Sequence, residues 1–233
     1  EEKVNRIVEV IISSVKPFQL MLGKIIGVSG VGLTQLVIWV IFGMLFWFFA
    51  LPFLIPAMAD GMPDPAASGI SPDEMDAQME FMVNFINEMG KLNWAYMIPV
   101  ILFFFLGGYF IYASLFAAVG SAIGDDYGES QSLTIPIVVP VIIAFFMAMT
   151  VVDNPNGPIA VFGSMFPLFS PIVLPARLAF DPPIWQVIVS MLLLAASVVF
   201  FVWLSGRIYR IGIFMYGKKV TLKEIGKWLF YKG

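Results

Sequence analysis

"NPNGPIAVFGSMFPLFSPIVLPA", residues 154–176, runs for 23 residues without a charge. It is long enough to cross about 30 Å of hydrocarbon as a single helix, and whether it does so decides the fold. Its prolines argue against a crossing. Pro158, Pro167, Pro171 and Pro175 each fix φ and remove a backbone donor, so they break a helix repeatedly. Irregular backbone at membrane depth is tolerated where protein buries it or where it lines a cavity. The stretch is therefore read as a re-entrant hairpin of two short helices, residues 158–180, that enters and leaves on one side.

Outward from it lie four further uncharged stretches, Ile25–Ala59, Leu92–Gly124, Ser130–Val152 and Pro182–Gly206. Each holds the roughly 20 apolar residues that a membrane-spanning helix needs. The whole chain is 60% hydrophobic and 12% charged, about half the charge of an ordinary soluble domain. The expected fold class is an all-α polytopic membrane protein with spans at about 28–52, 94–120, 133–152 and 184–206. A β-barrel would need segments of about ten residues with alternating polarity, and none is visible. With no cysteine and no histidine in the sequence, disulfides, thiolate metal sites, HExxH zinc sites and Ser-His-Asp machinery are excluded.

Orientation follows from Lys and Arg. The opening segment carries Lys3, Arg6, Lys16 and Lys24, and seven more follow Gly206. The connection 60–91 has one basic residue against seven acids, and the connection 153–181 has only Arg177. Cytoplasmic flanks are enriched in Lys and Arg, so both ends are expected inside a plasma or inner membrane. An even span count follows, which again makes residues 154–176 a hairpin, now on the external side. Arg177 is expected either to snorkel to the external interface or to pair with Asp181, four residues on.

The 60–91 connection holds its own helix, 72–89. "SPDE" at 71–74 is a capping box, and Met75, Met79, Met82, Ile86 and Met89 repeat on one apolar face. A Met row suits Cu(I); the plainer account is a helix lying on the membrane or packed on its neighbours, methionine being an adaptable apolar residue. The short connection "SAIGDDYGESQS", 121–132, is cytoplasmic by parity. Its "GD" is no aspartyl protease signature, because no span contains a carboxylate to converge on. In the tail, 207–233, "TLKE" at 221–224 is a second capping box, and an interfacial helix with Trp228 at headgroup level is expected.

The chain opens "EEKVNRIVEVIISSVKPFQLMLGKIIG", residues 1–27, a charged, helix-patterned elbow set before the first span. Val4, Ile7, Val8, Ile11, Ile12 and Val15 form its apolar face, and Pro17 ends the first helix. Interfacial anchors usually carry a basic polar face. Here three Glu accompany Lys3 and Arg6 in the first nine residues, which suits a protein partner better than anionic lipid.

This opening resembles the segment before the third span of ABC-2 type exporter permeases of the sodium-exporter NatB kind. Three later stretches resemble the same family in order: "YASLFAAVGS" (112–121), "FPLFSPIVLPARL" (166–178) and "SGRIYRIGIFMYGKKVTLKE" (205–224). The resemblance implies a permease that works with a cytoplasmic ATP-binding-cassette ATPase and a second permease copy or paralogue in the bilayer. It implies that residues 1–24 form the ATPase-coupling elbow, with Arg6, Glu9, Lys16, Pro17 and Phe18 in that role. The proline-rich hairpin becomes the external gate, with Phe166, Pro167, Phe169, Pro171, Leu174, Pro175 and Arg177. The family's N-terminal span, external domain and second span have no counterpart in the chain, so it is expected to be the C-terminal part of a longer protein.

Residues and resemblance meet at mechanism. No GxxxxGK(S/T) phosphate loop is present, so no cofactor is expected on this chain, and ATP with Mg²⁺ belongs to the partner. Nothing suggests nucleic acid. Polar residues within or beside spans are few; Gln35, Tyr109, Tyr112 and Ser114 are the pathway candidates, although such residues commonly hydrogen-bond helix to helix. No intramembrane charge marks a sodium site, and a bulky amphipathic or apolar substrate fits as well. A structural, regulatory or channel-like subunit without ATP coupling is the other class, and the elbow speaks against it.

Overall fold

The structure is a computed structural model that describes residues 15–50, 52–54, 72–123, 127–213 and 226. It is all-helical, and four of its helices are long and apolar enough to cross a membrane. The chain is a polytopic α-helical membrane protein. The first part of the elbow, with Arg6 and Glu9, the capping residue Ser71, and most of the tail, Trp228 included, lie outside the described residues.

The helices in chain order are α1 (Pro17–Leu45), α2 (Pro72–Lys91), α3 (Trp94–Ala122), α4 (Tyr127–Asp153), α5 (Pro158–Met165), α6 (Ser170–Leu178) and α7 (Ile184–Gly212). At 29 residues each, α3 and α7 run about 43 Å, well beyond the hydrocarbon thickness. Pro17 opens α1, where its missing N–H is not needed, and the helix continues unbroken into the first span. It ends in a π-helical turn, Phe46–Ala50.

Two compact units divide the chain, 1–29 with 95–233, and 30–94. Within the smaller unit, α2 stacks Phe81 on Phe85, with ring centroids 6.4 Å apart. Its last turn is closed by the Trp94 indole N–H, which donates to the Met89 carbonyl at 3.0 Å.

In the larger unit the core falls into patches. At one end Met21 and Ile25 of α1 pack on Tyr209 and Ile213, beside Ala118 and Ala122 of α3, which meet Leu133 and Ile208. At the other, Ala144 and Val151 of α4 bury against Ala160 of α5 and Val173 of α6. Close approach comes from glycine. A Cβ on Gly108 would stand 2.5 Å from the Pro171 ring, one on Gly107 would stand 2.5 Å from Leu194, and one on Gly206 would strike the Phe18 ring. Lipid tails are as apolar as leucine, so close packing of this kind is what holds membrane helices together. The outward faces are large hydrophobics, such as Phe146 and Leu192, as a lipid solvent requires. At the end of α7 the Arg207 guanidinium lies over the Trp203 ring, 5.2 Å from its centroid.

The hairpin is α5 and α6, joined by a turn at Phe166–Phe169. Pro158 occupies the first position of α5, and Pro167 sits in the turn. Pro171 falls in the first turn of α6, but Pro175 lies inside α6 without ending it. Arg177 overturns both expectations for it. It is 1% exposed, so it does not snorkel, and it does not reach Asp181. Its Nε donates to the Pro155 carbonyl at 2.6 Å, one terminal nitrogen to Ser164 Oγ at 2.9 Å, and the other to Asn156 Oδ1 at 3.1 Å. All three acceptors are neutral. They belong to the "NPNG" turn before α5 and to α5 itself, which is closer than water or Asp181 for a side chain pointing inward from α6. Asp181 follows α6 in the left-handed region, φ 45°, where Asp is tolerated. The Ser164 carbonyl in turn accepts from Ser190 Oγ of α7 at 2.7 Å, so one short network ties both hairpin helices, their entry turn and the last span.

Replacing Arg177 by Ala removes the guanidinium from the buried Ser164 hydroxyl, a loss of about 1–3 kcal/mol, and leaves the half-buried Pro155 carbonyl and the exposed Asn156 amide to water. The expected outcome is a clear drop in the thermal unfolding midpoint of the detergent-purified full-length protein. Arg177→Lys should not restore it, because a single ammonium cannot reproduce the planar fork; full rescue by Lys would refute the network's role.

Candidate functional site

A cavity of about 630 Å³ opens beside the hairpin, within the roughly 300–1,000 Å³ typical of small-molecule sites. Lys24, Ile25 and Val28 of α1 form one wall, and Pro171 and Ile172 of α6 form the hairpin end. The long wall is α3, where Phe105, Gly108, Tyr109, Tyr112 and Phe116 recur at helical spacing on one face. Val141 of α4 completes it. α3 meets the hairpin at Gly108, because only glycine lets Pro171 approach so closely.

Tyr112 links cavity and hairpin. Its hydroxyl donates to the Leu168 carbonyl at 2.6 Å, in the turn between α5 and α6. That carbonyl has no helical partner, so the phenol satisfies a backbone group that the turn leaves open.

The turn also carries an aromatic cluster. Phe166 and Phe169 have centroids 4.8 Å apart, and Phe162 of α5 joins them at 5.6 and 6.3 Å. Phe162 is more than half exposed, and Phe166 is exposed as well, so the cluster forms a surface rather than a core. Sequence reading named Phe166 and Phe169 but missed Phe162. The signal was present, because Phe162 and Phe166 lie four apart and so share a helix face.

The remaining candidates separate. Leu174 is fully buried, as Arg177 is, and neither belongs to the exposed cluster. Pro167 shapes the turn, and Pro175 sits inside α6. Tyr109 and Tyr112 line the cavity, while Ser114 is buried and donates to Ile111 O at 2.8 Å, a bond within its own helix. Gln35 is exposed on the second half of α1 and belongs to the smaller unit. Of the elbow residues, Lys16 precedes α1 and its carbonyl accepts from the Leu20 N–H at 3.1 Å. Pro17 begins the helix, and Phe18 seats its ring on Gly206 of α7. Among the described residues no group of three or more Asp or Glu is placed to hold a metal ion.

Residues 1–207 match the sequence profile described as "ABC-2 family transporter protein". The uncharacterized protein YhaP of Bacillus subtilis is 28% identical over 225 residues, covering 96% of this chain and 48% of its own length. The uncharacterized protein MJ1024 of Methanocaldococcus jannaschii is 29% identical over 233 residues, covering 100% of this chain and again 48% of its own length. The chain thus spans about half the length of the curated relatives it matches. No solved structure matches it. The match runs through the opening segment, the hairpin and the four long apolar helices as far as residue 207, and the chain belongs to the ABC-2 family of transporter proteins.

Proposed function

We propose that this chain is the membrane-spanning permease part of a NatB-like exporter, driven by ATP hydrolysis on a separate cytoplasmic ATPase subunit and completed by a second permease copy or paralogue. The family match supports the permease reading. The observation that carries the coupling is the joint at Phe18. From Pro17 onward the elbow is one helix with the first span, and Phe18 rests on Gly206 of the last span. A rigid-body movement delivered to the elbow therefore reaches two spans at once. Arg6 and Glu9 supply the polar face that docks on the ATPase. ATP and Mg²⁺ bind there, and this chain contributes no catalytic group.

Both ends and the 121–132 connection face the cytoplasm in this reading, with 60–91 and the hairpin outside. A single cysteine at Lys218 of the full-length protein, other cysteines removed, should react with an impermeant maleimide only after the cells are opened. Reaction in intact cells would overturn the orientation.

The docking role is tested by Glu9→Arg in the reconstituted complex. If Glu9 contacts the ATPase, losing a charge-assisted contact worth about 1.5–3 kcal/mol should cut transport about tenfold or more while ATP turnover and insertion persist. If Glu9 pairs only with Arg6, an exposed pair worth under about 1 kcal/mol, the change is nearly silent. Coupled, wild-type transport in that variant would refute the docking role of Glu9.

The hairpin serves as the gate: its aromatic cluster is an apolar constriction that excludes water, held by the Arg177 network. Changing Phe162, Phe166 and Phe169 together to Ala should raise passive leak or basal ATP turnover several-fold with normal amounts of inserted protein. Unchanged leak, turnover and export in well-assembled complexes would remove the gate assignment.

A further inference from the structure

The walls of the cavity beside α6 are aliphatic and aromatic throughout, with two exceptions, tyrosine hydroxyls and the ammonium of Lys24. The Tyr112 hydroxyl is already engaged by Leu168. Among the described lining residues Lys24 carries the only charge. It is exposed, so its alkyl stem lies along the wall while the ammonium stays at the mouth. The α3 wall from Phe105 to Ala117 extends about 18 Å at 1.5 Å per residue. An elongated apolar slot with one cation at its edge selects against three classes of ligand. A metal ion finds no carboxylate, an organic cation meets a like charge, and a compact polar solute would bury its polar groups without partners.

We propose that this cavity binds a single-chain anionic amphiphile, a long-chain fatty acid being the simplest, with its alkyl chain along α3 and its anionic head on Lys24. Binding stands on the cavity alone; as a statement of what the permease moves, it rests on the exporter reading above. The bilayer is as apolar as the slot, so close packing along α3 retains the chain, and Lys24 supplies the selection for a negative head. The chain's inner end meets Pro171 and Ile172, so an occupied cavity presses directly on the hairpin.

The test uses the full-length protein in nanodiscs of zwitterionic lipid and a palmitic acid carrying a diazirine in its chain, with cross-linked peptides mapped by mass spectrometry. No ATPase is needed, so the result is readable even if the coupling test fails. Label is expected on the α3 peptide and on the peptide holding Pro171 and Ile172. Oleate should displace it, whereas oleyl alcohol and oleylamine should not. Lys24→Glu should lower labelling about tenfold, the effect of losing one charge-assisted contact, and Lys24→Gln should fall between. Ala113→Phe, which fills the slot, should abolish it with a normal gel-filtration profile. Equal displacement by oleyl alcohol, indifference to Lys24→Glu, or label spread evenly over the lipid-facing helices would each overturn the proposal. Loss of label when phosphatidylglycerol is added to the nanodiscs would assign the slot to a two-chain bilayer lipid and overturn it too. If binding holds but oleate leaves ATP turnover in the assembled complex unchanged, the fatty acid is a bound ligand and not the cargo, which overturns the substrate claim alone.

Discussion

A guanidinium held in a nearly dry site without a carboxylate partner governs the architecture around the hairpin. Removing a charge from water is costly unless hydrogen bonds replace its hydration. Arg177 meets that demand with Pro155 O, Ser164 Oγ and Asn156 Oδ1, and the geometry that does so permits little else. α6 must stand beside α5 with its Arg177 face inward, and the "NPNG" turn must fold back over it. Helices of eight and nine residues are too short to persist alone in water. What keeps them helical here is this network together with the apolar contacts of Val173 and Ala160 against α4.

The same economy of small residues recurs wherever two helices meet. Gly107 and Gly108 are adjacent yet face different partners, Leu194 and Pro171, because successive residues on a helix point about 100° apart. One pair of glycines thus admits both α7 and the hairpin to α3. Substituting them would not be equivalent. A leucine side chain can change rotamer, whereas the Pro171 ring cannot move without its backbone, so Gly108 is the stricter requirement.

The spans and the hairpin were legible in the sequence because hydrocarbon imposes length and apolarity on every crossing, and Asn, Gly and Pro punctuate the turns. Proline alone was a weaker guide. Pro136 and Pro140 lie inside α4, Pro99 inside α3 and Pro175 inside α6 without ending them, since each removes one bond from a helix otherwise held by its neighbours. Polar "SAIGDDYGESQS" suggested a twelve-residue connection, yet α3 runs to Ala122 and α4 starts at Tyr127; polarity marks exposure to water and not the end of a helix. The partners of Arg177 were hidden for a different reason. Asp181 stood at a visible helical spacing, whereas a carbonyl 22 residues upstream is brought near only by the fold. Tyr109 and Tyr112 could be named as pathway residues, but the slot they share with Lys24 depends on α1 crossing α3, which no local pattern encodes.

The Tyr112 hydroxyl belongs to two structures at once, the wall of the cavity and the turn of the hairpin. That makes ligand affinity and hairpin position thermodynamically conjugate. A molecule that binds more tightly when the Leu168 bond is intact must hold the hairpin seated by the same factor, and one that binds more tightly when the bond is broken must lift it by the same factor. A single phenol therefore lets the chemistry of a bound ligand set where the hairpin rests, so that selection in the cavity and seating of the hairpin become one property rather than two.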